Sequence, residues 1–261
     1  MKQQFLIAAL VVGAVTTPFA QTATETLVVT ATNTRGWTTA DTRPGGAVAF
    51  VLDNTAPAGS GALQLTTNAT TTAKAQYLHV ASTPLAEVTD LSYYTKQNAA
   101  AFAGGAPSYQ LVVNLCGATT GFTTFVYEPY QGGGAAVLAG AWQSWDVDAS
   151  SAQMWSTRDV TCGPSSVVRG SGGPPFYNLA GLQTAFPNAV VIGFGVNIGS
   201  NNPSYDVEAD LVQFNETIYD FEVFSVATNP DDCKKGGWST FNPPTGPYKN
   251  QGQCVSAAVP Q

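Results

Sequence analysis

The chain has 261 residues, 44% of them hydrophobic and only 10% charged, with a formal net charge of −7. The apolar fraction is enough for one large all-β domain or two small ones, and the scarcity of charge leaves the polar surface to Thr, Ser, Asn, Gln and Gly. An acidic chain of this kind has little to neutralise phosphates with, which argues against nucleic acid as a partner and against electrostatic binding to anionic lipid.

Residues 1–20 read as a secretory signal peptide: Lys2 in a short basic n-region, an apolar stretch from Phe5 to Val15, and the small Ala20 before Gln21. That stretch is too short to span a bilayer, and no later one reaches the ~18 apolar residues a membrane helix needs. The mature chain is expected outside the cell or on its surface, without an integral membrane segment. Four cysteines fit an oxidising compartment. Of the possible pairings, Cys116–Cys162 with Cys233–Cys254 keeps each bridge inside one structural unit. A zinc site has little support, since there is no C-x-x-C and the one histidine is His79.

In chain order, alternation and β-branched residues predict strands over 25–32, 47–52, 62–67, 74–81, 91–97, 108–115, 121–130, 141–148 and 154–161, separated by Gly, Pro and Asn turns. Segments 141–148 and 154–161 are expected to pair with each other, and 33–43 to be a loop carrying Trp37. Asn178 to Phe186 is the only convincing helix, with an N-cap at Asn178 and a stop at Pro187. Three closing strands follow between Ala189 and Phe224. Residues 228–261 lack a strand pattern and read as a small cysteine-tied tail. The fold predicted for 21–227 is an all-β, antiparallel two-sheet β-sandwich, a jelly roll, with one short helix and a disulfide-tied C-terminal tail.

Residues 36–51 (GWTTADTRPGGAVAFV), 59–67 (GSGALQLTT), 91–97 (LSYYTKQ), 125–130 (FVYEPY), 142–147 (WQSWDV) and 187–200 (PNAVVIGFGVNIGS) together resemble a group of secreted bacterial proteins. Their jelly-roll domain is similar to concanavalin A-like and carbohydrate-binding-module sandwiches. The tail, with Cys233-Lys-Lys-Gly-Gly-Trp238 and Lys249-Asn-Gln-Gly-Gln-Cys254, resembles a short cysteine-tied motif found at the end of such proteins. The resemblance spans nearly the whole mature chain and implies fold and export more than activity.

Three constellations could carry chemistry. Glu208-Ala-Asp210-Leu-Val-Gln213 is close to the E-x-D-x-x-E strand on which sandwich-fold glycosidases place nucleophile and acid/base. Gln213 stands where the second acid would be, so Glu208 and Asp210 are weak catalytic candidates, otherwise read as the outer face of an edge strand. Oxygen ligands for a structural Ca²⁺ are available in Asp41, Asp53, Asp220 and Glu222, at loops or strand ends. The third constellation is aromatic. A ring with an exposed face stacks on the C–H face of a sugar while polar neighbours take its hydroxyls. Tyr93, Tyr94, Tyr127, Tyr130, Trp142, Trp145, Trp155 and Tyr205 lie on strands or adjoining loops, and Tyr94, Tyr127, Tyr130, Trp142, Trp145 and Tyr205 are taken as the ligand-facing set. Trp142 and Trp145 are three apart, so at most one points inward. His79, alone in an apolar strand and without a G-x-S-x-G elbow elsewhere, reads as structural. The chain is thus expected to be a secreted, non-catalytic protein binding a polysaccharide or a cell-envelope component. The alternatives are a polysaccharide hydrolase or lyase with a degenerate motif and a structural envelope component.

Overall fold

The computed structural model describes residues 24–131, 136–241, 243 and 248–259; the predicted signal peptide lies outside them. Two sheets face each other, as the alternation requires. The first contains β1 (Glu25–Val29), β3 (Gly46–Leu52), β4 (Gly61–Thr67), β6 (Leu91–Ala99), β9 (Trp142–Asp146), β15 (Asp206–Phe214) and β16 (Thr217–Phe221). The second contains β2 (Trp37–Thr38), β5 (Ala75–Pro84), β7 (Ser108–Asn114), β8 (Phe122–Tyr127), β10 (Met154–Ser156), β13 (Phe176–Tyr177) and β14 (Val190–Ile198), in the spatial order β13-β10-β8-β7-β14-β5-β2. A separate hairpin joins β11 (Val160–Cys162) to β12 (Ser165–Val167).

Strand β15 is the axis of the first sheet. One edge pairs with β6, and beyond β6 lies β9. The other edge is divided: Asp206–Ala209 pair with β4, and Val212–Phe214 pair with β16. Against β6 the register shifts twice, between Asp206 and Val207 and again between Asp210 and Gln213, where Leu211 takes a positive φ of 47°. The second is a β-bulge in β15, which bends the strand and redirects its pairing. Outside β4 lies β3, and outside β16 lies β1, whose pairing with β16 is parallel while the other strand pairs are antiparallel.

The inward residues meet in one core. Trp37, 2% exposed, lies within 5.1–5.6 Å, centroid to centroid, of Tyr77, His79, Phe194, Tyr219 and Phe221. Most of these contacts are edge-to-face, the arrangement ring quadrupoles favour. Phe194 of β14 stacks on Phe214 of β15 at 4.4 Å, joining the sheets at their centres. Trp37 therefore does not sit in a loop. It forms a short strand on the edge of β5, opposite His79, because burying an indole against five rings outweighs the turn preference of its neighbours. His79 is structural: its Nε2 lies 3.0 Å from the Arg35 carbonyl and its ring packs among Trp37, Phe194 and Tyr219.

Segments 141–148 and 154–161 do not pair with each other. Strand β9 joins β6 in the first sheet, whereas β10 joins β8 and β13 in the second. Residues 147–153 carry the chain between the layers, anchored by buried Val147 and Ala152. Two strong strand patterns a few residues apart suggest a hairpin; a sandwich crossover has the same local signature.

Helix α1 (Leu179–Ala185) is capped by the Asn178 side chain, which accepts the Gly181 N–H at 2.8 Å. The tail holds a second helix, α2 (Gln251–Ala258), which the sequence pattern did not mark because Gly252 and small residues blur its period. Asn250 caps it, accepting from the Gln253 N–H at 3.0 Å. The disulfides are Cys116–Cys162 and Cys233–Cys254, with Cα separations of 5.3 and 5.7 Å. The second joins α2 to the 3-10 turns of Pro230–Thr240, and Ala227, Cys233, Tyr248, Cys254 and Ala258 form a cluster apart from the main core.

The two bridges should therefore fail differently. Cys116→Ser with Cys162→Ser opens a 46-residue closure and should lower unfolding free energy by roughly 4 kcal/mol on the chain-entropy account. Cys233→Ala with Cys254→Ala should abolish hydrogen-exchange protection in 248–259 while leaving the main calorimetric transition in place. Loss of protection across β5, β14 and β15 in the second variant would show that the tail is integral to the sandwich.

Candidate ligand cleft and the buried carboxylates

The outer face of the second sheet is hollowed into a cleft of about 620 Å³. Alternation supplies its floor. In β7 the residues flanking inward Tyr109 are Ser108 and Gln110; in β8 Val126 points outward, in β10 Trp155, and in β14 Asn197. Loops raise the walls: Phe102 and Gly105 follow β6, Tyr130 follows β8, Arg169 and Gly172 follow β12, and 199–202 follow β14. Polar groups on the floor differ in how far they are spoken for. Asn197 donates to Gln76 Oε1 at 3.1 Å, and Ser108 donates to the Asn197 carbonyl at 3.0 Å. The Gln110 amide has no protein partner among the described residues.

Two rings define the aromatic wall. Trp155 is half-buried, its indole N–H donating to Glu128 Oε2 at 2.9 Å. Gln131 donates to the same oxygen at 2.8 Å, to the Gly172 carbonyl at 2.8 Å and to the Tyr130 hydroxyl. Burial raises the pKa of Glu128, against the opposing bonds from Trp155 and Tyr130. Tyr130 is 45% exposed and braced edge-on by Phe102, with centroids 5.1 Å apart. Gly170 lets its loop lie against the indole, since a Cβ there would stand 2.7 Å from Trp155 Cβ and 2.2 Å from the Gly173 carbonyl oxygen.

The aromatic residues singled out in the sequence divide three ways. Tyr130 and Tyr205 line the cleft, although Tyr205 is only 4% exposed and contributes an edge. Tyr94 and Trp142 lie on the outer face of the opposite sheet, where the Trp142 N–H donates to Asp53 Oδ2 at 3.0 Å. Tyr127 and Trp145 are core residues, 2% and 4% exposed, and offer no ring face to a ligand: each is the inward member of its alternation, with Trp145 donating to Thr95 Oγ1 at 2.7 Å. Phe102, absent from the candidates, sits on a Gly- and Ala-rich loop without a pattern to mark it. Trp155, one of the eight candidate aromatics but outside the set taken as ligand-facing, lines the cleft.

Glu208 and Asp210 are not on a solvent-facing edge. They project from the outer face of central β15 and are 6% and 0% exposed. Glu208 accepts from Asn98 at 2.8 Å and faces Lys96 at 3.7 Å. Lys96 lies 2.5 Å from Asp53, which also accepts from Thr55. Burial would raise Asp53, but the bonds from Lys96 and Thr55 outweigh it and hold the carboxyl far below the usual range. Asp210 does the reverse. Its Oδ1 accepts the Phe221 N–H at 2.9 Å across the bulge, while Oδ2 has no partner among the described residues. Burial pushes its pKa up to about 8, with the charges of Asp220 and Glu222 adding to the shift. Asp220, also with a partnerless oxygen, is raised to about 6 by burial and by Glu222.

The four residues proposed for Ca²⁺ do not form one set. Asp41 is paired with Lys74 and Arg43 on the far side of the sandwich, and Asp53 is held by Lys96. Only Asp220 and Glu222 are neighbours. Among the described residues no group of three or more His, Cys, Asp or Glu side chains is placed to hold a metal ion. No helix among them is long and apolar enough to cross a membrane.

No family model and no curated protein matches the chain. Among solved structures it is similar to the family 11 carbohydrate-binding module from Clostridium thermocellum in complex with a mixed-linked β-1,3-1,4 tetrasaccharide, at 13% identity and TM-score 0.39 over 72% of this chain and 91% of that one. A second structure is the family 11 module of a cellulosomal cellulase of Clostridium thermocellum, at 10% identity and TM-score 0.37 over 72% and 89%. A third is the CBM22-1 xylan-binding domain from Paenibacillus barcinonensis, at 16% identity and TM-score 0.33 over 69% and 84%. At these scores the likeness carries nothing about ligand or activity.

The buried carboxylates fix a pH dependence. A raised folded-state pKa means that the native protein binds protons more tightly than the unfolded chain, so the stabilisation is complete below about pH 4 and is lost as pH rises toward 8. Asp53 acts oppositely, its contribution being lost only as pH falls below its unfolded value. Stability should therefore peak in mildly acidic solution and fall by about 2–5 kcal/mol toward pH 8. Asp210→Asn should retain the Phe221 bond, flatten this decline and raise the pH 8 urea midpoint. A midpoint constant from pH 4.5 to 8 in the unmodified protein would contradict the burial described here.

Proposed function

We propose that this is a secreted or cell-surface protein that binds a polysaccharide, without catalysis, in the cleft on the outer face of the second sheet. The observation that carries this reading is the pairing of the partly exposed Trp155 and Tyr130 rings with a floor of Ser108, Gln110 and Asn197. Flat apolar faces beside fixed amide and hydroxyl groups are what a sugar, apolar on its C–H face and polar around its rim, requires. Phe102 and Glu128 stiffen the two rings from behind, which lowers the ordering cost of binding. The two disulfides support an oxidising, extracellular destination.

The non-catalytic part rests on the carboxylates. Glycoside hydrolysis needs two of them flanking the bond, about 5–10 Å apart and reachable by water. Glu128 is the only carboxylate among the described residues lining the cleft, and two donors hold its Oε2 beneath Trp155. Glu208 and Asp210 belong to the opposite sheet and are buried.

Affinity electrophoresis against a panel of plant and microbial polysaccharides tests the reading. Trp155→Ala should weaken retention about tenfold, the equivalent of ~1.4 kcal/mol of stacking, while Trp142→Ala, on the other sheet, should leave it unchanged. Retention insensitive to Trp155, or reducing ends released on incubation, would reject it.

A further inference from the structure

The cleft is electrically unlike the rest of the molecule. The whole chain carries only ten Lys and Arg, yet Arg43, Lys74 and Arg169 all line this one cleft. Asp41 pairs with Lys74 and lies 3.5 Å from the Arg43 Nε, so it offsets one of these charges. Glu128 offsets at most one more, and it is turned under the indole toward Trp155 and Gln131. Asp41 and Asp159 stand outside the lining, so on the cleft wall itself three cations face one carboxylate, in a protein whose formal charge is −7.

The cations stand at opposite ends. Arg43 lies beside the start of β5, donating its backbone N–H to the Lys74 carbonyl at 2.9 Å and its Nη1 to Ser200 Oγ at 3.1 Å. Arg169 lies beside β10, where its backbone bridges to Ser156. Asp159 accepts the backbone N–H of Arg169 at 2.7 Å, while the guanidinium itself has no protein partner among the described residues and is exposed. Strands β8, β7 and β14 intervene between β10 and β5, a span of four strand spacings or roughly 19 Å. A single small anion cannot reach both ends, whereas a chain of sugars carrying charge at intervals can.

We infer that the cleft selects an anionic glycan, whose ring-borne oxyanions, uronate carboxylates or sulfate esters, are met by Arg169 at one end and by Arg43 with Lys74 at the other. This rests on the glycan-binding reading above and adds the ligand's charge to it. Guanidinium binds a carboxylate or sulfate through two parallel N–H bonds, so an unpaired arginine is better suited than a lysine to this work. Trp155 and Tyr130 hold the sugar faces between the two charged ends.

The test uses the full mature chain against polygalacturonate and alginate (carboxylates), dextran sulfate (sulfate esters), and neutral xylan and mixed-linkage β-glucan, by biolayer interferometry. At low salt an anionic polymer should bind at least tenfold more tightly than either neutral one, and the preference should shrink on raising NaCl, as screening of exposed charges requires. The polymer preferred identifies carboxylate or sulfate as the source of charge. Arg169→Gln should lose about tenfold toward that polymer and nothing toward neutral ones, whereas Trp155→Ala should weaken every polymer that binds. Neutral polymers bound as tightly as anionic ones, or a preference unmoved by salt and by Arg169→Gln, would overturn the inference while leaving glycan binding intact. Binding to none of the five would overturn both.

Discussion

At Asp210 and Leu211 strand β15 carries one residue more than β6 can pair, and its free edge passes from β4 to β16. The bulge leaves a gap in the hydrogen-bond ladder that something polar must fill, because a buried backbone N–H without a partner costs as much as a lost hydrogen bond. The Asp210 carboxylate fills it by accepting from Phe221. Both ends of the first sheet depend on this junction: β4 with β3 on one side, β16 with β1 on the other. The junction also fixes which residues of β16 point inward, and with them the placement of Tyr219 and Phe221 against Trp37.

Once the inner faces are committed to that aromatic core, the outer faces follow from the pleat. Each inward side chain leaves outward neighbours: Met154 in, Trp155 out; Trp145 in, Ser144 and Asp146 out; Tyr109 in, Gln110 out. On the first sheet the outward set includes carboxylates, amides and Lys96 beside Tyr94 and Trp142, and the loop after β3 folds back over part of it, with the Ser60 N–H donating to Glu222. On the second sheet the outward set stays open and is deepened by loops. Gly195 belongs to the same logic: a Cβ there would stand 2.2 Å from the Tyr77 carbonyl oxygen, so β14 can lie close to β5 only with glycine. The two faces of one sandwich thus become a closed polar network and an accessible cleft.

Charge is distributed along the same division. Part of the acidic complement is withdrawn from solvent: Asp210, Asp220, Glu222 and Glu208 are buried on the first sheet, with Lys96 committed to Asp53 and Glu208. Such groups destabilise the fold when ionised and contribute little to the field at the far side, where Arg43, Lys74 and Arg169 gather. Net charge therefore describes solubility and long-range repulsion here, and the character of the cleft is a local matter.

Period-two alternation between Glu25 and Phe221 was by itself enough to set the all-β class and most strand positions, because pleat and burial act residue by residue. The Asn178 cap was legible for the same reason, being decided by neighbours in the chain, and the cysteine pairing because each bridge stays within one structural unit, even where it spans 46 residues. Strand partnership was not: β9 and β10 look like a hairpin locally and lie in different sheets, and Trp37 looks like a loop residue until five rings from distant strands surround it. Nor could the sequence tell Tyr127 from Tyr130. Both are tyrosines around one Pro-containing turn, yet one fills the core and the other faces the cleft, since exposure depends on which loops stand above a side chain. The cleft unites Phe102, Tyr130, Trp155, Arg169 and Arg43 from five separated segments, and only the stacking and edge order of the two sheets brought them together.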